Sequence, residues 1–275
     1  MLNPAAKVKL AKIAQQTRRY ILELIYKAGG GHPAGALGMT EIFTTLYFTD
    51  VLNHRPTEPD WSDRDRVILS NGHICPVLYA TLAQAGYFPV DELMTFRVFG
   101  SRLQGHPHLG SLPGIENTSG PLGQGLSQAV GLALGLKMDG LSNHVFAVLS
   151  DGEHQEGQTW EAYMFAAKNQ LSNLTIMIDN NNIQIGGFTS AIMPIDPLKH
   201  KLASFGWSVA EINGHDHTQI YQSLSNAKDQ TEPTVIIAHT TPGKGVSFME
   251  NNPYWHGKAP SDIEYHQAIA ELNHE

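Results

Sequence analysis

Ser150-Asp151-Gly152-Glu153 and Asp179-Asn180-Asn181-Asn182-Ile183 place one carboxylate just after an apolar run and a cluster of amides just after the next. Phe146-Ala147-Val148-Leu149 leads into the first turn, and Leu174-Thr175-Ile176-Met177-Ile178 into the second. Short apolar runs bounded by turn formers read as buried strands. Between them, the stretch from Trp160 to Leu171 has helical composition, so the whole reads as a βαβ unit. Ligands of such units bind in the crevice at the strand C-termini.

Asp-Gly and Asn-Asn taken singly are turn formers. Placed after two consecutive strands, they fit a divalent cation holding a diphosphate. A hard cation such as Mg²⁺ takes about six oxygens at roughly 2.1 Å, few of them from protein. Asp151 can give a carboxylate oxygen, Asn181 an amide oxygen and Ile183 a backbone carbonyl. Diphosphate and water would complete the shell, and the Gly152 N–H can approach a phosphate because no Cβ intervenes.

Asp151-Gly152-Glu153-His154-Gln155-Glu156-Gly157-Gln158-Thr159-Trp160-Glu161-Ala162, followed by Asp179 to Ile183, resembles the thiamine diphosphate motif in its transketolase version. Ser150 stands where that family usually has glycine. Further segments are similar to transketolase motifs in the same order: Gly30 to Met39, Leu69-Ser70-Asn71-Gly72-His73, Gly105-His106-Pro107, Thr118 to Gly125, and Asn251 to Gly257. The resemblance runs from about residue 10 to about residue 272. It implies thiamine diphosphate, with Mg²⁺ (or Ca²⁺ or Mn²⁺), as the cofactor.

Composition is compatible with this. The 275 residues, 41% hydrophobic, can bury a sizeable core as one domain. Lys plus Arg number 18 against 26 Asp plus Glu, a net charge of −8, which disfavours a nucleic-acid partner. One cysteine, Cys75, excludes an intramolecular disulfide and suggests a reducing cytoplasm; its apolar neighbours Ile74 and Val77 make it a packing residue. No stretch approaches the roughly 20 apolar residues of a membrane span, and the 7–28 region reads as an amphipathic helix rather than a signal core.

The pattern predicts helices over 7–28, 38–52, 72–86, 123–138 and 215–229, and strands over 145–149, 174–178, 207–212 and 234–239. The expected fold class is α/β, a mostly parallel sheet with helices on both faces, as in the transketolase diphosphate domain. Residues 241–257 read as a long functional loop.

Of the 14 histidines, those outside the motifs, such as His54, His144, His200 and His274, read as surface residues. By resemblance, His73 and His256 would touch the diphosphate, while His32 and His106 would face substrate carbonyl and hydroxyls; His32 and His256 could serve both ligands, and His32, His106 and His256 are the candidate proton-transfer groups. Gly120 and Leu122 would border the aminopyrimidine. Glu156 would join a hydrogen-bonded acidic cluster at a subunit interface beside the cofactor, with Glu161 as a structural partner.

In transketolases the glutamate that activates the cofactor, the pyrimidine pocket and the sugar-phosphate arginines lie in a following domain. The sequence ends at Glu275. The resemblance therefore implies the N-terminal subunit of a split transketolase: residues 1–275 as a diphosphate domain, a C-terminal partner subunit with the pyrimidine domain, and an α₂β₂ assembly acting on sugar phosphates. The α subunit of a 2-oxo-acid dehydrogenase, a deoxyxylulose phosphate synthase and a non-catalytic paralogue are the alternatives.

Overall fold

The structure is a computed structural model and describes residues 2–274. Among these, the helices are α1 (Pro4–Ala28), α2 (Pro33–Gly38), α3 (Thr40–Phe48), α4 (Cys75–Ala85), α5 (Gln124–Met138), α6 (Gly157–Lys168), α7 (Thr189–Ile192), α8 (Leu198–Ser204), α9 (His217–Ala227) and α10 (Asp262–His274). The strands are β1 (Arg66–Leu69), β2 (Val145–Ser150), β3 (Leu174–Asn180), β4 (Ile183–Gln184), β5 (Gly187–Phe188), β6 (Ser208–Asn213) and β7 (Thr234–His239).

Five strands form one parallel sheet in the order β1-β2-β3-β7-β6, and β4 and β5 form a separate antiparallel hairpin. β2 is buried throughout, and β3 and β7 are buried except at their last residues, so each strand is apolar on both faces. Phe146, Val148, Met177 and Ile236 join the core that includes side chains of α1–α4 and α9. Ala147, Leu149, Ile176, Ile178, Val235 and Ile237 point the other way, into the core shared with α5, α6 and α8. This period-two division of side chains puts helices on both faces. At roughly 1.5–3 kcal/mol per fully buried Leu, Ile or Phe side chain, these two layers dominate the stability.

The α/β expectation is met, with differences in detail. β1 was not foreseen: four residues opening on Arg66 carry no recognisable period and become a strand through pairing with β2. The helix expected over 38–52 is divided at Met39 (φ −87°, ψ 5°), where Gly38 packs so closely on Thr241 that a Cβ would lie 3.1 Å from its carbonyl oxygen. The helix expected from residue 72 begins as a 3₁₀ turn over Gly72–Ile74, and α geometry starts at Cys75, with proline in the first helical turn. Cys75 is buried, as expected, and its thiol is raised by burial.

Two histidines read as surface residues are not. His144 is 4% exposed, its Nε2 2.8 Å from the Thr175 hydroxyl and its ring beside Phe146. His54 is half-buried, with Nδ1 3.0 Å from the Tyr87 hydroxyl and Nε2 3.0 Å from the Tyr47 carbonyl. Both rings have polar partners inside the fold, which local sequence does not announce. His200 is exposed, and the side chain of His274 lies outside the described residues.

Candidate functional site

Parallel pairing brings the C-terminal ends of β1, β2, β3 and β7 to one edge of the sheet. There a cleft of about 460 Å³ opens, with His32, His73, His106 and His256 on its wall. Four motifs separated by long stretches of chain thus meet in one place.

His32 stands at the N-cap position of α2, ahead of Pro33, without a side-chain hydrogen bond to the helix. The preceding Gly31 has φ +154°, and a Cβ there would meet the Ile25 side chain at 2.8 Å, so the turn into His32 requires glycine. His73 sits in the 3₁₀ turn that leaves β1, and His256 follows the turn over Pro253–Trp255. The rings of His32, His73 and His256 form a triangle with centroids 5.1, 5.3 and 5.5 Å apart. A Cβ on Gly120 would lie 3.9 Å from the His106 ring, which places the two on adjoining walls.

Burial holds the His32 imidazole down to about 4, helped by the fields of His256, Arg97 and His106. His73 lies well below the ordinary histidine value for the same leading reason, and burial also lowers His106 and His256. At neutral pH the four rings are therefore uncharged, each with one N–H donor and one acceptor nitrogen. Among the described residues, Nδ1 of His32 is buried without a hydrogen-bond partner, as are both amide atoms of Asn71 and the Ser119 hydroxyl. Of these, His32 lines the cleft, and its unsatisfied nitrogen there is suited to a polar ligand.

Asp151 is buried, between Ser150 and Gly152, which both line the cleft. Its Oδ1 accepts from the Gly152 N–H at 2.7 Å and its Oδ2 from the Asn182 N–H at 2.7 Å. The second bond joins the two turns identified in sequence. Asn181 and Ile183 line the same cleft, and Asn181 Oδ1 accepts from the Ile183 N–H at 2.9 Å. Burial raises Asp151 to about 6, against the lowering effect of those amides. Asp179 next to it, bonded to the Thr240 hydroxyl and to Asn181 Nδ2, is pushed to about 7, mainly by burial and further by the charge of Asp151. Both carboxylates are buried, and among the described residues no cationic side chain pairs with either, which makes a place that a cation would relieve; the expected donors are all hard oxygens. Among the described residues no group of three or more His, Cys, Asp and Glu side chains is arranged around a metal position; the expected set has a single carboxylate.

Gly152, Leu122 and Glu156 also line the cleft. Glu156 is solvent-exposed at the start of α6, as is Glu161 within it.

Two residues were missed in sequence. Glu153 is fully buried: the Ser70 hydroxyl and the Gly123 N–H donate to its Oε1, the latter at 2.8 Å, and the Ser150 N–H donates to Oε2 at 2.9 Å. One carboxylate thus ties the ends of β1 and β2 to the start of α5, and burial raises it. Arg97, at φ +59°, lies against Gly30 and Gly105, where built Cβ atoms would stand 3.1 and 2.8 Å from its guanidinium. It stands close enough to lower His32 and His106. An acidic residue after Asp-Gly and an arginine after phenylalanine carry no local signal for either role.

Residues 10–274 match the family described as the transketolase, thiamine diphosphate binding domain. A 6-deoxy-6-sulfo-D-fructose transketolase subunit of Clostridium sp. (strain MSTE9) is 41% identical over 270 residues, 98% of either chain. An apulose-4-phosphate transketolase subunit of Actinobacillus succinogenes is 41% identical over 97% of either chain. Among solved structures, the transketolase of Campylobacter jejuni superposes with a TM-score of 0.89 at 33% identity, and that of Leishmania mexicana with 0.90 at 32%. The chain covers 95% and 96% of itself in these superpositions, but only 43% and 41% of the solved chains.

Proposed function

This chain belongs to the transketolase family through its thiamine diphosphate-binding domain, and we propose that it is one subunit of a two-chain transketolase that moves a two-carbon ketol unit from a ketose, as a sugar phosphate, to an aldose. The observation that carries the reading is the convergence of His32, His73 and His256, centroids 5.1–5.5 Å apart, in the cleft that Asn181 and Gly152 also line. The names of the subunit-type relatives, matched along nearly their full length, support a partner chain.

Asp151, Asn181 Oδ1 and the Ile183 carbonyl would hold Mg²⁺ or a similar ion. His73, His256 and the Gly152 N–H would bind the diphosphate, and Gly120 and Leu122 would border the pyrimidine, with Glu156 at the interface beside it. Bound thiamine diphosphate supplies a carbanion equivalent and an electron sink. The chain orients what the cofactor meets. Neutral imidazoles of His32, His106 and His256 can both donate an N–H to a substrate carbonyl and accept a hydroxyl proton at the other ring nitrogen; an imidazolium could only donate. Low-dielectric walls strengthen each of these bonds. The partner, in an α₂β₂ assembly, would supply the pyrimidine pocket and the sugar-phosphate anchors. Residues 1–275 would then serve as the diphosphate domain.

Calorimetry on the reconstituted pair tests the site: thiamine diphosphate with Mg²⁺ binds the wild-type complex, and Asp151→Ala loses metal-dependent binding. Full activity in that variant overturns the assignment. Ketol transfer by the purified chain alone would refute the two-chain reading, and turnover of pyruvate in place of a ketose would point to a different thiamine enzyme.

A further inference from the structure

We infer that Arg18, Glu41 and His215 act as a positioning cluster that sets where the 240–257 segment places His256; the catalytic consequence rests on the reading of His256 given above. The segment contains no strand or α-helix, only a 3₁₀ turn at Pro253–Trp255. Irregular chain of this length keeps one shape only through contacts outside itself.

Three buried or nearly buried groups provide them. The Arg18 guanidinium meets both oxygens of Glu41, at 2.6 and 2.7 Å, while its Nε donates to the Lys244 carbonyl at 3.0 Å. The other end of the cluster is His215, whose Nδ1 is 2.9 Å from Glu41 Oε2 and whose Nε2 accepts the Thr241 N–H at 2.7 Å. Because Thr241 donates, Nε2 carries the lone pair and the ring proton sits on Nδ1, facing the carboxylate. The cluster therefore grips a backbone donor and a backbone acceptor at the start of the segment, from residues on α1, α3 and the loop before α9.

The gripped backbone in turn touches the other histidine turn. The Gly243 N–H donates to the Ala34 carbonyl at 2.8 Å, and Gly38 packs on Thr241, so α2, with His32 at its N-cap position, is fastened to the same stretch. None of the three residues lines the histidine cleft; they line a separate cavity of about 480 Å³. Their effect on the site passes through the segment. A buried ion cluster is a costly way to fill space, since an apolar trio packs at least as stably. Direction is what it adds: one fixed donor and one fixed acceptor that admit one backbone position.

The substitution His215→Asn keeps an amide donor for Glu41 near Nδ1 and removes the acceptor from Thr241, whereas His215→Gln can return an oxygen to the Nε2 position. In the isolated chain, His215→Asn should speed amide exchange across 241–249 about tenfold and move the His256 imidazole resonance, with exchange in β2, β3 and β7 unchanged; His215→Gln should restore both. Arg18→Lys, which retains the charge but not the bond to Lys244, should give the same pattern, and it carries the test if the asparagine variant does not fold. In the reconstituted enzyme kcat should fall about tenfold with KM changing much less. Unchanged exchange and an unmoved His256 signal in these variants, or exchange that rises equally throughout the sheet, would overturn the inference. Failure of the transketolase reading would show separately, as no turnover by the wild-type pair with the exchange pattern intact.

Discussion

Asp151 carries a cost in the metal-free chain and is expected to recover it on binding. Buried at 1% exposure and raised to about 6, it stabilises nothing by being charged. Asp151→Asn keeps an acceptor for the Asn182 N–H and removes the charge but turns its NH2 toward the Gly152 N–H, so the metal-free variant should melt close to the wild-type temperature. In the reconstituted pair its metal-dependent cofactor affinity should fall by about a hundredfold or more; a lower melting temperature with intact affinity would reverse the roles assigned. His144 predicts a pH effect of the same origin, burial, and opposite direction. Burial depresses it from 6.5 to about 4, so the unfolded chain binds the proton more readily than the folded one. The stability that comes from keeping the ring neutral is fully present above pH 6.5 and is lost as pH falls through about 4, up to about 3 kcal/mol. Urea midpoints should drop between pH 7 and 5, and His144→Gln should flatten that slope. The sequence showed Asp151, Asn181 and the four motif histidines because each sits in a turn of distinctive chemistry. His144, Glu153 and Arg97 were hidden because their environments are made by residues far along the chain.

Among elements, the approach of α5 to the end of β1 sets the spacing of the cleft. A Cβ on Gly125 would stand 2.5 Å from the Cα and Cβ of Ser70, whose hydroxyl donates to Glu153. Gly125→Ala must push helix and strand apart, at about 1–3 kcal/mol or more. Gly131, on the same helix with nothing near a built Cβ, should instead gain about 0.5–1 kcal/mol on substitution by alanine. Thermal unfolding of the two single variants of the isolated chain should therefore move in opposite directions, and equal shifts would deny the close packing. The long elements α1, α5, β2, β3, β6 and β7 were legible because their apolar patterns persist for a turn or a strand length. β1 and the β4–β5 hairpin were not, since two to four residues hold no period and become strands only by pairing; nor was α10, 13 residues long, whose sequence carries no strong apolar stripe.

For the whole molecule, the chain matches the subunit-type relatives end to end and only two fifths of the solved transketolases, and the expectation drawn from this is dependence on a partner. Mixing the purified chain with its partner should generate ketol transfer that neither shows alone, titrating to a 1:1 ratio of chains; activity that saturates without the partner would contradict it. No helix among the described residues is long and apolar enough to cross a membrane. The sequence by itself determined the α/β class, the two strand-end turns and the identity of the histidine motifs, because hydrophobic period and turn chemistry are local properties written into neighbouring residues. Only the tertiary structure decided that His32, His73 and His256 stand within 5.5 Å of one another, that Glu153 binds three elements, and that Arg18, Glu41 and His215 hold the segment bearing His256. Those relations join residues from opposite ends of the chain, and parallel pairing with burial in low dielectric is what brings them together and gives their few hydrogen bonds strength.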